Sequence, residues 1–158
     1  MKIRNAKPKD ATEIYKLGKE IHELAFSKKF PFHELSEIKE FIKNKEQNIF
    51  LVAEEEMKNQ EKKNQEKKKE VKIIGFLYAK ILSHHAGGWC MLDNIAILKK
   101  YRKHGIGSLL LQELYKNLKQ RKIHYVQILE AHRKSTRKFW KQKGFKETKT
   151  FIWAEKII

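Results

Sequence analysis

The stretch "KKYRKHGIGSLLLQEL", Lys99 to Leu114, decides the fold. Gly105 and Gly107 stand one residue apart, directly before an apolar run, and positive charge surrounds them. Ile106, Leu109, Leu110, Leu114 and Leu118 recur at helical spacing, so a helix is expected to begin close to Gly105, with a turn before it. A helix start leaves backbone N–H groups without intrahelical partners and carries the positive end of the macrodipole. Glycine at 105 and 107 would let an anion approach those donors, and Arg102, Lys103 and His104 add charge or donors around the same turn. A phosphate-bearing ligand is the expected occupant.

Two common phosphate sites do not fit. A Walker loop needs a lysine after its last glycine, whereas Gly107 is followed by Ser108. The dinucleotide fingerprint needs a third glycine where Leu110 stands, and no acid closes a following strand. What remains is Arg-x-x-Gly-x-Gly, Arg102 to Gly107, after a strand-like "LDNIAIL".

Outward from this block, the chain reads as one α+β domain, since 158 residues suffice for one core and are short for two. "KIRNA" reads as a first strand, and Asp10-x-x-Glu13 as a capping box opening a helix that carries Ile14, Leu17, Ile21, Leu24 and Ala25 on one face. Pro31 precedes a second helix with Leu35, Ile38, Phe41 and Ile42. "NIFLVAEE", "VKIIGFLYAKIL", "GGWCMLDNIAIL" and "IHYVQILEA" read as strands, Ser135 as the N-cap of a helix ending at Gly144, and "FIWAEKII" as a last strand. Residues 54–70 hold six acids, six lysines and the tandem repeat "NQEKKNQEKK", a composition too polar to bury and expected to be a charged, mobile insertion.

Net charge is +17, and about +13 of it lies between Lys99 and Lys149, where sixteen Lys and Arg meet three acids, Glu113, Glu130 and Glu147. Two explanations stay open: an anionic partner, or lysines decorating exposed helix faces. No run of about eighteen apolar residues occurs and "MKIRNAKPKD" has no apolar core, so neither a membrane span nor export is expected, and a cytoplasmic location is. Cys90, alone in an apolar stretch, reads as a core thiol. His84 and His85 lack a third ligand at metal spacing, and no metal is expected.

Taken together, "LDNIAILKKYRKHGIGSLLLQEL" and the later "FWKQKGF", Phe139 to Phe145, resemble the GNAT superfamily of acetyl-CoA-dependent N-acetyltransferases, whose signature is Arg/Gln-x-x-Gly-x-Gly/Ala after a strand and whose later motif is of the type "FYEKLGF". The resemblance implies a central mixed, mostly antiparallel sheet with splayed fourth and fifth strands, flanked by about four helices. It implies that backbone of Ile95, Ala96 and Ile97 pairs with the pantetheine arm of acetyl-CoA, and that amides from Arg102 through Ser108, namely Lys103, His104, Gly105, Ile106 and Gly107 between them, cradle the pyrophosphate. Acetyl-CoA is the implied co-substrate, and the implied activity is acetyl transfer to a primary amine.

Family members often carry a glutamate base nine residues before the signature arginine, and Asp93 holds that position here. Its neighbours at alternate positions, Met91 and Ile95, are apolar, so burial is expected to raise its pKa toward a useful value. A purely structural aspartate is the alternative. The family's tyrosine acid is replaced by Trp140, whose indole does not give up a proton usefully, which leaves His132 and Tyr125 as second candidates for catalysis and Trp140 as a coenzyme contact. A protein N-terminus or lysine is preferred as acceptor over a small polyamine, because a basic surface repels polycations. A nucleic-acid or ribosome-binding module on an impaired acetyltransferase fold is the competing function, with Tyr101, Tyr125 and Phe139-Trp140 as the aromatic residues near the basic run. Either a monomer or a homodimer fits.

Overall fold

The computed structural model describes residues 1–21, 24, 32–57, 71–82, 88–129 and 134–148. Five strands form one sheet in sequential order: β1 Lys2–Asn5, β2 Asn48–Glu56, β3 Val71–Leu82, β4 Trp89–Ile97 and β5 Val126–Ile128. The first four pair antiparallel, while β5 runs parallel to β4. Parallel pairing requires a crossover. It is supplied by α3, Ile106–Gln120, which lies on one face of the sheet with α4, Lys134–Gln142. On the other face lie α1, Ala11–Glu20, and α2, Leu35–Lys43.

Both faces of the central strands are therefore covered, and β2 shows how. Ile49, Leu51 and Ala53 join the core under α3, whereas Phe50 and Val52 join the core under α1 and α2. A strand buried on both sides reads as an unbroken apolar run, as "IFLVA", Ile49 to Ala53, does. Beneath α3, Leu110, Leu111, Leu114 and Leu118 are at most 2% exposed, each such side chain stabilising the fold by roughly 1.5–3 kcal/mol.

Several local expectations are corrected. Leu109 is 38% exposed, and Leu111 takes its place on the buried stripe. Three consecutive leucines leave the helical phase open until the sheet selects it. The Asp10–Glu13 capping box does not form. Asp10 instead accepts from the Lys7 amide at 2.7 Å and from Arg4, and Glu13 accepts from the Ile73 amide at 2.9 Å, tying α1 to β3. Glu54, Glu55 and Glu56 belong to β2 rather than to an insertion, because Arg4 pairs with Glu54 and the Tyr101 hydroxyl donates to Glu55. Ser135 lies inside α4, which begins at Lys134. Residues 58–70, His84, His85, Pro31 and the expected last strand lie outside the described residues.

One irregularity shapes the site. Tyr78 pairs with Asn94 but Ala79 pairs with Leu92, so Asp93 is an extra residue in a β-bulge of β4. The bulge switches the strand's facing. Cys90 and Leu92 join the α3 core, whereas Ala96, beyond the bulge, joins the α1–α2 core.

Candidate functional site

The turn between β4 and α3 is held from both sides. Arg102 Nε donates to the Ile97 carbonyl at 3.0 Å, folding the turn back on the end of β4, and the Tyr101 hydroxyl donates to Glu55 Oε2 at 2.6 Å, anchoring it to β2. The Glu55 carboxylate pushes the Tyr101 hydroxyl up from its ordinary pKa. Lys103 and Gly105 adopt left-handed backbone, at φ 66° and 79°. For a lysine that conformation is uncommon, and such strain concentrates at functional loops. The bond from the Leu109 amide to the Gly105 carbonyl, 3.1 Å, is the first of α3, so the amides of Ile106, Gly107 and Ser108 have no acceptor within the helix. Arg102, Lys103, His104 and Gly105 are exposed around them. Such a turn can bind an anion.

The two glycines have different reasons. A Cβ on Gly105 would meet nothing within 4 Å, so this position is open and its glycine answers the positive φ. A Cβ on Gly107 would lie 3.2 Å from Phe139 Cζ and 3.4 Å from Ile97 Cδ1. Gly107 thus lets α3 approach β4 and α4, and the expectation that it clears space for an anion is corrected.

From the turn, the free edge of β4 runs back to Asp93. Ile95, Ala96 and Ile97 pair with Leu77, Phe76 and Gly75 of β3 on one side. On the other side β5 reaches only Cys90, Met91 and Leu92, so from Asp93 onward the edge facing β5 has no strand partner among the described residues. That splay leaves about 13 Å of backbone edge, at about 3.3 Å per residue, for an extended ligand to pair with. Its closed end is the Leu92–Ile128 pair, and Asp93 is the next residue.

Around Asp93 the chain gathers residues that no local motif announces. Lys80 Nζ lies 2.9 Å from Asp93 Oδ2, with side-chain exposures of 40% and 22%. The same ammonium stands 5.8 Å from the centroid of Phe41 and 5.6 Å from that of Tyr78, two rings that stack at 4.7 Å. His33 meets Phe41 and Tyr78 edge-on. Burial pushes the His33 imidazole down, favouring its neutral form, and pushes the Tyr78 hydroxyl up, with Asp93 adding to the latter. The Asn94 side chain donates to the Asp93 carbonyl at 2.7 Å. The expected apolar surroundings of Asp93 are corrected: its carboxylate is countered by Lys80, because the bulge takes it out of the alternation with Met91 and Ile95.

The other candidates separate. Tyr125 precedes β5 and is 55% exposed, its carbonyl accepting from the Cys90 amide and its hydroxyl from Gln127. His132 lies outside the described residues. Trp140 is 8% exposed and packs edge-to-face between Phe139 and Phe145, so it serves the core, and with Phe139 half-buried the pair is poorly placed to stack on nucleic-acid bases. Cys90 is buried and its thiol is pushed up to about 12, first by burial and then by Asp93, which makes it inert as a nucleophile. Lys80 was legible only as a lone charge near the end of the apolar strand "VKIIGFLYAKIL". A separate cavity of about 330 Å³, lined by Tyr115, Leu118, Lys119, Ile123, His124 and Val126, sits where α3 ends beside β5. Among the described residues no three His, Cys, Asp or Glu cluster as metal ligands, and no helix is long and apolar enough to cross a membrane.

Known proteins share this architecture. No curated protein matches the chain by sequence search. Among solved structures, a tetramutant of the BH1408 protein from Bacillus halodurans superposes with a TM-score of 0.74 at 15% identity, over 98% of this chain and 99% of that one. The aminoglycoside antibiotic 6'-N-acetyltransferase AAC(6')-IG from Acinetobacter haemolyticus gives 0.72 at 17% identity, over 100% and 99%. An aminoglycoside N-acetyltransferase, AAC(6')-Iy in complex with CoA, gives 0.72 at 16% identity, over 99% and 100%. At these identities the likeness concerns the fold. Residues 46–147, from just before β2 through α4, match the family described as "Acetyltransferase (GNAT) domain". The chain therefore belongs to the GNAT family of acetyl-CoA-dependent N-acetyltransferases.

Proposed function

We propose that the chain acetylates a primary amine of a peptide or protein, an N-terminus or a lysine, with the coenzyme lying along the free edge of β4. The single observation that supports this is the position of Asp93, at the closed end of an open strand edge whose other end is a turn with the amides of Ile106, Gly107 and Ser108 free of helical acceptors. The amides of residues 102–108 hold the pyrophosphate, and the backbone of Ile95, Ala96 and Ile97 pairs with the pantetheine arm. The thioester then lies beside Asp93.

Amide formation needs a neutral amine, and the Asp93 carboxylate takes the proton from the incoming ammonium. The acceptor preference follows from charge. Asp93 is already countered by Lys80, which leaves Glu37, 3.8 Å from His33, as a remaining carboxylate near Tyr78, while the protein as a whole carries +17, a field that disfavours a polycation. A peptide amine with acidic or neutral flanks suits it better than an aminoglycoside, the acceptor class named for two of the similar structures.

A panel of amines tests the reading, with free thiol release as the signal: an acidic lysine peptide, a peptide N-terminus, a simple alkylamine and an aminoglycoside. The peptides are expected to have kcat/KM at least tenfold above the aminoglycoside, and the reverse order overturns the acceptor class. Asp93→Asn is expected to keep CoA affinity and to lower kcat by about 10²–10⁴, the range for loss of a general base. An Asn variant that turns over like the parent removes Asp93 from the mechanism.

A further inference from the structure

We propose that Lys80 is a self-acetylation site: with acetyl-CoA bound and no acceptor present, the chain transfers the acetyl group to its own Lys80 Nζ. This rests on the transfer reading above and names a modification at the same site.

The ammonium of Lys80 occupies a place built for an ammonium. Asp93 Oδ2 lies 2.9 Å away on one side, and the faces of Phe41 and Tyr78 lie 5.8 and 5.6 Å away on another. A carboxylate and aromatic faces together are how proteins hold an alkylammonium ion. Here the ion is the chain's own.

Register then brings the acetyl donor to it. β5 closes against β4 at the Leu92–Ile128 pair, so an arm entering along the free edge from the 102–108 turn stops beside Asp93. Lys80, opposite Met91 on β3, reaches that carboxylate across the strand pair. Its side chain is 40% exposed, which leaves it free to swing off Asp93 toward a thioester. An acceptor lysine from another molecule would need the same place, so Lys80 stands in for the acceptor until one arrives.

The step balances. Asp93 takes one proton from the ammonium and passes it to solvent. The amine lone pair forms the N–C bond at the thioester carbonyl, the C–S bond breaks with its electron pair on sulfur, and the second nitrogen proton goes to the departing thiolate. Products are N-acetyl-lysine, CoA thiol and one released proton.

The experiment incubates the full chain with acetyl-CoA and no amine, followed by intact mass and peptide mapping. One acetyl group per chain is expected, at Lys80, formed at least tenfold faster than at Lys116, whose side chain is 71% exposed on the outer face of α3 and reports simple chemical acetylation. Lys80→Arg, which keeps the cation, should abolish the mark while still binding CoA. Asp93→Asn should slow marking of Lys80 at least tenfold and leave Lys116 unchanged. Equal marking of Lys80 and Lys116, or marking of Lys80 that ignores Asp93→Asn, overturns the inference. Turnover of a panel amine with Lys80 unmarked overturns it while the transfer reading stands, and neither marking nor turnover by a CoA-binding chain overturns both.

Discussion

Replacing Gly105 by Asp, with Gly105→Asn as its neutral partner, tests by charge alone the proposal that the β4–α3 turn holds the coenzyme's pyrophosphate. A side chain at 105 enters open space, with nothing within 4 Å of its Cβ, so volume is not the issue. The backbone stands at φ 79°, a conformation that Asn and Asp visit more readily than other residues, and both variants should share a stability loss of about 1 kcal/mol. They differ only in a unit of charge. Taking about 5 Å between the carboxylate and one phosphate charge, and an effective dielectric constant of about 20, the repulsion is about 3 kcal/mol. That corresponds to about 200-fold in Kd. Calorimetric titration with CoA at low ionic strength, about 0.01 M, where the Debye length of about 30 Å leaves a contact this close largely unscreened, reads the difference directly. Thermal melts of the two variants check that both are folded. If Asp and Asn variants bind CoA within threefold of each other, no phosphate sits at this turn.

Two further outcomes test the fold around the site. Arg4→Gln should cost about 3 kcal/mol at neutral pH, because Arg4 pairs Asp10 and Glu54 whose side chains are only 7% and 15% exposed. Burial alone would raise the Asp10 pKa, but the Arg4 guanidinium and the Lys7 amide outweigh it and hold the carboxyl below its usual range. A depressed folded pKa means that this stability is present above the ordinary carboxylate pKa and fades as pH falls through the lower folded value. The gap between variant and parent should therefore begin to narrow as pH falls below about 4 and close only below the folded value in urea melts, and a gap that does not narrow on acidification excludes the ion pair as its cause. Separately, Leu111→Ala should lose about 3–5 kcal/mol and Leu109→Ala under about 1 kcal/mol, whereas equal losses would contradict the helical phase.

Local signals carried much of this fold into the sequence. The helix after Gly105, the turn before it and the apolar runs of β2 and β3 depend on neighbours in the chain, and the structure has them where spacing and composition put them. What could not be read depends on partners far away. At Asp93 β4 carries one more residue than β3 between the Tyr78–Asn94 and Ala79–Leu92 pairs, and no residue of β4 alone announces that bulge. Lys80 reaches Asp93 only once that bulge has turned the carboxylate toward Phe41 and Tyr78. Gly107 looked like a phosphate glycine beside Gly105, yet its missing Cβ accommodates Phe139, contributed by α4. Asp10 looked like a cap for the helix that follows it, and was claimed instead by Arg4 from β1. In each case a residue with a plausible local role was taken by a stronger tertiary partner.

The most direct measurement of where the coenzyme lies is an amide-by-amide titration of the isotope-labelled chain with CoA, followed by NMR. The largest shifts are expected at Gly105, Ile106, Gly107 and Ser108, with a second group along Asn94, Ile95, Ala96 and Ile97, and little change at Tyr115, Ile123, His124 and Val126. Shifts confined to that last set, which lines the cavity beside the end of α3, would put the coenzyme elsewhere and contradict the site described for it.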